Sequence, residues 1–179
     1  MECIIRPVTI EDVPAIHAIF HHSVLTGTAS WELIPPEEAE IRRRTQAILD
    51  QGYPYFVATL DQSGTQSVVG YSYASSYRPR PGYRFTVEDS IYVAPDYQRQ
   101  GIARQLLTTL IDACTAQGFR QMIAVIGDSE NRPSIELHRS LGFEHVGLLP
   151  NIGWKFERWL DSVLMQRTLG EGSTSQPEE

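Results

Sequence analysis

Four groups of residues in this chain could do chemistry. Glu88 stands in the β-branched and aromatic run Phe85–Val93, a carboxylate on a strand that could take a proton from an amine held within reach. Asn131, Ser134 and His138 are spaced three and four apart, so they line one face of a helix. The segment Gln98-Arg99-Gln100-Gly101-Ile102-Ala103-Arg104 follows the strand and opens a helix. The first N–H groups of a helix lack intrahelical partners and carry the positive end of its dipole, so this turn could cradle a phosphate, although most such turns are merely turns. Finally, Arg78-Pro79-Arg80-Pro81-Gly82-Tyr83-Arg84 places three arginines and a tyrosine on a loop. It is either a solvated hairpin end or a clamp whose guanidinium forks bind carboxylate or phosphinate oxygens in pairs.

The elements that must position these groups follow from pattern. Pro95, with no N–H to donate, stops the Phe85–Val93 strand. Ile102, Leu106, Leu107, Leu110, Ile111 and Cys114 recur at helical spacing and predict one buried stripe ending at Gly118. Gln121–Ile126 is a compact apolar strand, and strand, helix, strand in this order implies a parallel pair with a crossover. Asn131 then caps a helix with Pro133 in its first turn and Gly142 at its end. Upstream, Cys3–Pro7 reads as a strand and Thr9 as the cap of a helix whose inward stripe is Val13, Ile16, Ile19 and Phe20. Pro35, Pro36, Glu37 and Glu38 start a second helix that Gly52 ends, and Tyr55–Asp61 with Ser67–Tyr77 reads as a hairpin through Gln62-Ser63-Gly64-Thr65. Two closing strands, Glu144–Leu149 and Trp159–Thr168, are joined by Pro150–Lys155. Residues 170–179, rich in Gly, Ser, Thr and Glu, read as an unstructured tail. The expected organisation is one α/β domain over residues 1–169.

At 179 residues the chain suits a single domain with a sizeable core, and its net charge of −7 argues against a general nucleic-acid surface. Cys3 and Cys114 have no paired spacing, so neither a disulfide framework nor a Cys-rich zinc site is expected. His17 and His21 sit one helical turn apart without a third ligand of suitable spacing, so no metal is expected there either. With no apolar run of spanning length and no basic-then-apolar leader, the expectation is a cytoplasmic protein without membrane partners.

Gln98-x-x-Gly101-x-Ala103 after a strand ending in Tyr92-Val93 resembles the acyl-CoA pyrophosphate loop of the GCN5-related N-acetyltransferase (GNAT) superfamily. Thr86-Val87-Glu88, Ala124-Val125-Ile126-Gly127, Asn131 and Ser134-Ile135-Glu136-Leu137-His138-Arg139-Ser140-Leu141-Gly142-Phe143 extend the likeness over residues 3–169. They resemble the branch that acetylates phosphinothricin, methionine sulfoximine and methionine sulfone. The resemblance implies a mixed α/β fold: a mostly antiparallel sheet with helices on both faces and a cleft where the fourth and fifth strands splay apart. It also implies acetyl-CoA as co-substrate, a small amino-acid-like amine as acceptor, and a homodimer.

In that reading, backbone N–H groups of Arg99, Gln100, Gly101, Ile102, Ala103 and Arg104 hold the pyrophosphate, with Arg99 and Arg104 adding charge. Ile91, Tyr92 and Val93 lie along the pantetheine arm. Free strand N–H groups polarise the thioester carbonyl. Asn131 and Ser134 reach the cofactor, and Asn131 can serve as helix cap at the same time. Pro81, Gly82 and Tyr83 occupy acceptor-contacting positions beside Arg78 and Arg80. Trp31 is a cleft wall or a core residue. Glu88 is the candidate base, and His138 is an acid, a base, a hydrogen-bond partner near the thiol, or a ring packed on the cofactor arm. Because strand residues alternate, Asp89 faces away from Glu88 and is a weaker candidate for the same task. Two competing functions remain, a peptide or protein amine acetyltransferase and an acyl-CoA sensor without turnover. The arginine loop would repel the basic substrates of the first.

Overall fold

A computed structural model describes residues 3–62 and 64–177. Ser63 of the expected hairpin turn, Glu178 and Glu179 of the expected tail, and Met1 and Glu2 lie outside the described residues. The elements in order are β1 (Cys3–Pro7), α1 (Val13–Thr26), α2 (Glu38–Asp50), β2 (Tyr55–Gln62), β3 (Thr65–Ser76), β4 (Thr86–Val93), α3 (Ile102–Ala116), β5 (Gln121–Gly127), α4 (Arg132–Ser140), β6 (Glu144–Lys155) and β7 (Arg158–Thr168). Short 3-10 turns precede α1, β4 and α3.

The strands form one seven-stranded sheet in the order β1-β2-β3-β4-β5-β7-β6. Every neighbouring pair is antiparallel except β4 and β5. Those two pair in parallel over only Thr86–Gln121, Val87–Met122 and Glu88–Ile123, so beyond Glu88 the strands part. The mixed sheet and the splay agree with the expected fold.

Apolar residues on alternate strand positions divide the core between two faces. On one face, Leu107, Leu110, Ile111 and Cys114 of α3 pack with Val87, Met122, Val163 and Met165, joined by Ile135 and Leu137 of α4. On the other, Val13, Ile16, Ile19 and Phe20 of α1 pack with Tyr55, Val57 and Tyr71. Tyr71 stacks on Tyr92, whose ring meets Phe20 edge-on at 5.4 Å. The entry to α1 is fixed by Asp12, which accepts from Arg6 at 2.7 and 2.8 Å and from the Thr9 N–H at 2.8 Å. Burial alone would raise the Asp12 carboxyl, but these bonds outweigh it and hold the group below the usual carboxylate range.

The described structure departs from expectation at the sheet's edge. Pro150–Lys155, expected as a connection, belongs to β6. The register with β7 slips between Leu149 and Gly153, so Pro150 falls in an irregularity on an edge strand, where its missing N–H breaks no regular ladder. Asn151, at φ 53°, donates its N–H to Asp161 Oδ1 at 2.9 Å instead. Residues 170–173 form a turn after β7: Gly172 donates to the Leu169 carbonyl, and Arg120 reaches Gly172 O and Ser175 Oγ.

Candidate active site

The parting of β4 and β5 opens a cleft of about 440 Å³. Glu88, Asp89, Ser90, Ile91 and Tyr92 form its β4 wall, and Ala124–Gly127 line the opposite strand. The α1–α2 connection contributes Ser30, Trp31 and Glu32, α2 contributes Arg44, β3 contributes Tyr73, and α4 contributes Asn131, Ser134 and His138. Of the residues expected at a site, Glu88, Trp31, Ile91, Tyr92, Asn131, Ser134 and His138 meet here.

Glu88 is half-buried, and burial first, then the charge of Asp89, pushes its carboxyl up to about 7. A carboxylate tuned so close to neutrality is matched to proton abstraction from an amine. Tyr73, directly opposite Ser90 on β3, shares that face. On the reverse face Asp89 binds His138, with Nε2 at 3.0 Å from Oδ2. The His138 Nδ1 lies 2.7 Å from the Ser134 carbonyl oxygen. Each ring nitrogen therefore faces an oxygen of the protein. Asn131 caps α4, accepting from the Ser134 N–H at 3.4 Å and donating to the Gly127 carbonyl at 3.5 Å.

The mouth of the cleft is held by contacts the sequence gives little sign of. The buried Lys155 donates from Nζ to the carbonyls of Gly27 (2.9 Å) and Ser30 (2.8 Å), tying the α1–α2 connection to β6. Thr28 Oγ1 donates to the Gly127 carbonyl at 3.0 Å, and a Cβ on Gly127 would fall 1.9 Å from Thr28 O. Trp31 lies over Gly153, where a Cβ would sit 2.0 Å from its ring. Trp31 is 37% exposed and lines the cleft, which fits a wall better than a core residue. Arg44 bridges Glu32 at 2.8 Å and Glu40 at 2.7 Å.

Val93, Arg99, Gln100, Gly101, Ile102, Ala103 and Arg104 lie outside the cleft lining, at the end of β4 and the start of α3. Gly101, at φ 81°, is the N-cap residue of α3, a conformation that favours glycine. Ile102 buries its side chain among Ala58, Leu60 and Leu106, so only its backbone could meet a ligand. Arg104 donates to Ser140 Oγ at 2.7 Å. Arg78, Arg80, Pro81, Gly82 and Tyr83 are exposed on the loop before β4, and none of them lines the cleft. Arg78 rests on the Tyr77 ring. Glu32, Arg44, Tyr73, Ser90 and Lys155 were not singled out by sequence, and Asp89 entered only as a weaker candidate for the task of Glu88. Strand alternation alone could have found Ser90, on the same face of β4 as Glu88.

A cleft between strands that part beyond Glu88, with the glycine-led start of α3 following β4, fits an acyl-coenzyme A arm and its diphosphate. Residues 16–143 match the model of the Acetyltransferase (GNAT) family. The chain belongs to this family and is an acetyl-CoA-dependent N-acetyltransferase. It is 51% identical to a phosphinothricin N-acetyltransferase of Alcaligenes faecalis, over 98% of this chain and 87% of that one. It is 42% identical to an L-methionine sulfoximine/L-methionine sulfone acetyltransferase of Pseudomonas aeruginosa, over 94% and 96% of the two chains. A crystal structure of a phosphinothricin acetyltransferase from Sinorhizobium meliloti in complex with AcCoA superposes with a TM-score of 0.95 at 50% identity, covering 100% of this chain and 95% of that one.

Proposed function

We propose that this acetyltransferase moves the acetyl group of acetyl-CoA to the α-amino group of a small amino-acid-like acceptor of the phosphinothricin or methionine sulfoximine/sulfone type. The product is an amide without the acceptor's positive charge, which detoxifies an inhibitor of that type and confers resistance to it. The single observation that carries this reading is Glu88: a carboxyl pushed up to about 7, half-buried on the cleft wall at the last position of β4 that pairs with β5. The bound co-substrate supplies an activated thioester. Glu88 takes a proton from the acceptor's ammonium, directly or through a water, and leaves a nucleophilic amine. Backbone N–H groups freed by the splay are suited to the carbonyl oxygen as charge gathers on it. The start of α3 from Arg99 to Arg104 holds the diphosphate, and Arg78, Arg80, Pro81, Gly82 and Tyr83 receive the acceptor's acidic end.

The reading predicts thiol release from acetyl-CoA with methionine sulfone or phosphinothricin and none with a lysine-containing peptide. Turnover with the peptide alone would favour a protein acetyltransferase, and cofactor binding without turnover on any amine would favour a sensor.

We also infer a homodimer in the cytoplasm. Val146, Leu148, Ile152, Trp154 and Trp159 are 46–59% exposed on the edge strand β6 and its partner β7, an apolar row that calls for cover. Cys3 and Cys114 are free thiols, suited to a reducing compartment. Among the described residues no helix is long and apolar enough to cross a membrane. Sedimentation at micromolar concentration should give a dimer, and Trp159→Lys should shift it to monomer. A wild-type monomer would contradict this assembly.

A further inference from the structure

An acceptor of the phosphinothricin or methionine sulfone type carries its amino group and a carboxylate on the same carbon. When the nitrogen comes to Glu88, the carboxylate enters the cleft with it, and a charge taken out of water needs a partner there. The arginine loop before β4 lies outside the cleft lining and is left to the acceptor's side-chain end. Among the described residues that line the cleft, Arg44 of α2 is the one side chain that stays positive at every working pH. The ring nitrogens of His138 already face oxygens of Asp89 and Ser134.

Arg44 presents a partly used fork. Its Nε donates to Glu40 at 2.7 Å and its Nη1 to Glu32 at 2.8 Å, while Nη2 makes no bond to the described residues. Glu40, one turn back along α2, also accepts two bonds from Arg43, and it fixes the guanidinium from the Nε side. Glu32 comes from the α1–α2 connection and offers a single oxygen to Nη1. This pair is open to water, with side chains 40% and 38% exposed, and such pairs are weak. A carboxylate lying in the plane of the fork can take Nη1 and Nη2 together, the stronger arrangement. Arg44 and Glu88 also act on a common neighbour. Burial raises the Tyr73 hydroxyl and a bond with Ser90 lowers it; the charge of Glu88 then raises it and that of Arg44 lowers it. The cleft wall thus carries a negative and a positive pole on either side of one tyrosine, as a zwitterion requires.

We propose that Arg44 is a specificity-determining residue that receives the acceptor's α-carboxylate, and that Glu32 holds its place on the guanidinium until the acceptor arrives. The inference rests on the acetyl-transfer reading of this cleft and deepens it by assigning the group that recognises an α-amino acid. On binding, the acceptor's carboxylate takes Nη1 and Nη2, Glu32 turns to solvent, and the Glu40 bond keeps the fork aimed. The amine next to that carboxylate is then carried to Glu88. A lysine side-chain amine in a peptide has no carboxylate beside it, so it gains nothing from Arg44 and leaves the Glu32 pair closed. The same exchange explains why a cleft built to take an ammonium can also hold a cation.

The test compares methionine sulfone with 3-(methylsulfonyl)propylamine, the same molecule with hydrogen in place of the carboxylate, by thiol release from acetyl-CoA. The wild type should prefer methionine sulfone in kcat/KM by about tenfold or more. Arg44→Gln should cut that preference about tenfold or more by raising KM for methionine sulfone, with kcat/KM for the plain amine and KM for acetyl-CoA within about threefold of wild type. Glu32→Gln removes the competing carboxylate and should lower KM for methionine sulfone. A wild type that acts equally on the two amines would overturn the proposal, and that comparison needs no variant. An Arg44→Gln enzyme that loses both acceptors to the same extent would show a structural role only and would also overturn it. A raised KM for methionine sulfone in Glu32→Gln would contradict the exchange. Failure of the acetyl-transfer reading would show differently, as no thiol release with either amine in the wild type.

Discussion

Replacing Glu88 by glutamine is expected to lower kcat about 10²- to 10³-fold near neutral pH, with KM for acetyl-CoA within about threefold. Glutamine keeps the shape of the side chain and cannot take a proton, so the loss isolates the base. Folding should not suffer, and the sign can be worked out. Burial, and then Asp89, raise the folded-state value of Glu88 to about 7. The carboxyl is therefore accommodated best while protonated, and stability is lost as pH rises from the ordinary carboxylate value through the raised one. Above that range the wild type carries a partly buried charge that the variant lacks. Thermal unfolding at about pH 8 should accordingly place Glu88→Gln at or above the wild-type midpoint while steady-state kinetics show the rate loss. An equally active variant would remove Glu88 from the mechanism.

The second large effect is expected at Lys155. Its ammonium is buried, held below its ordinary value by that burial, and bonded to two carbonyls of the α1–α2 connection. Lys155→Met keeps the stem and removes both bonds, leaving the Gly27 and Ser30 carbonyls without their donor. The expected cost is about 2–4 kcal/mol, or roughly 5–15 °C in Tm for a domain of this size. Because the same connection carries Ser30, Trp31 and Glu32 into the cleft, KM for the acceptor should rise about tenfold or more while KM for acetyl-CoA changes little. Differential scanning calorimetry with two-substrate kinetics checks both. Unchanged acceptor KM alongside lowered Tm would show that the clamp serves stability alone.

Local pattern carried much of the fold into view. The α3 stripe was readable because Leu106, Leu107, Leu110 and Cys114 repeat at helical spacing and all end fully buried. The loop from Gln98 to Arg104 was readable because the order Gln98-x-x-Gly101-x-Ala103 resembles the family's pyrophosphate loop; its glycine, here at φ 81°, marks by itself only a turn into a helix. What escaped depended on distant partners. Strand alternation placed Asp89 opposite in facing to Glu88, but nothing in its surroundings told of a histidine 49 residues away. Lys155 gave no sign that it would be buried, since its partners are backbone carbonyls more than a hundred residues upstream. Pro150 argued for a connection, because a proline tolerated in an edge irregularity looks in sequence like any other break. The arginine loop was legible as a charged turn. Its position outside the cleft lining depends on where the chain turns into β4.

The most direct test is the pH dependence of kcat/KM with methionine sulfone at saturating acetyl-CoA, for the wild type beside Glu88→Gln. A proton-accepting carboxyl in the cleft predicts a wild-type rate that rises with pH through a midpoint near 7. In the variant that limb should be absent and the residual rate should follow the amine alone. The same limb at the same midpoint in both proteins would contradict it.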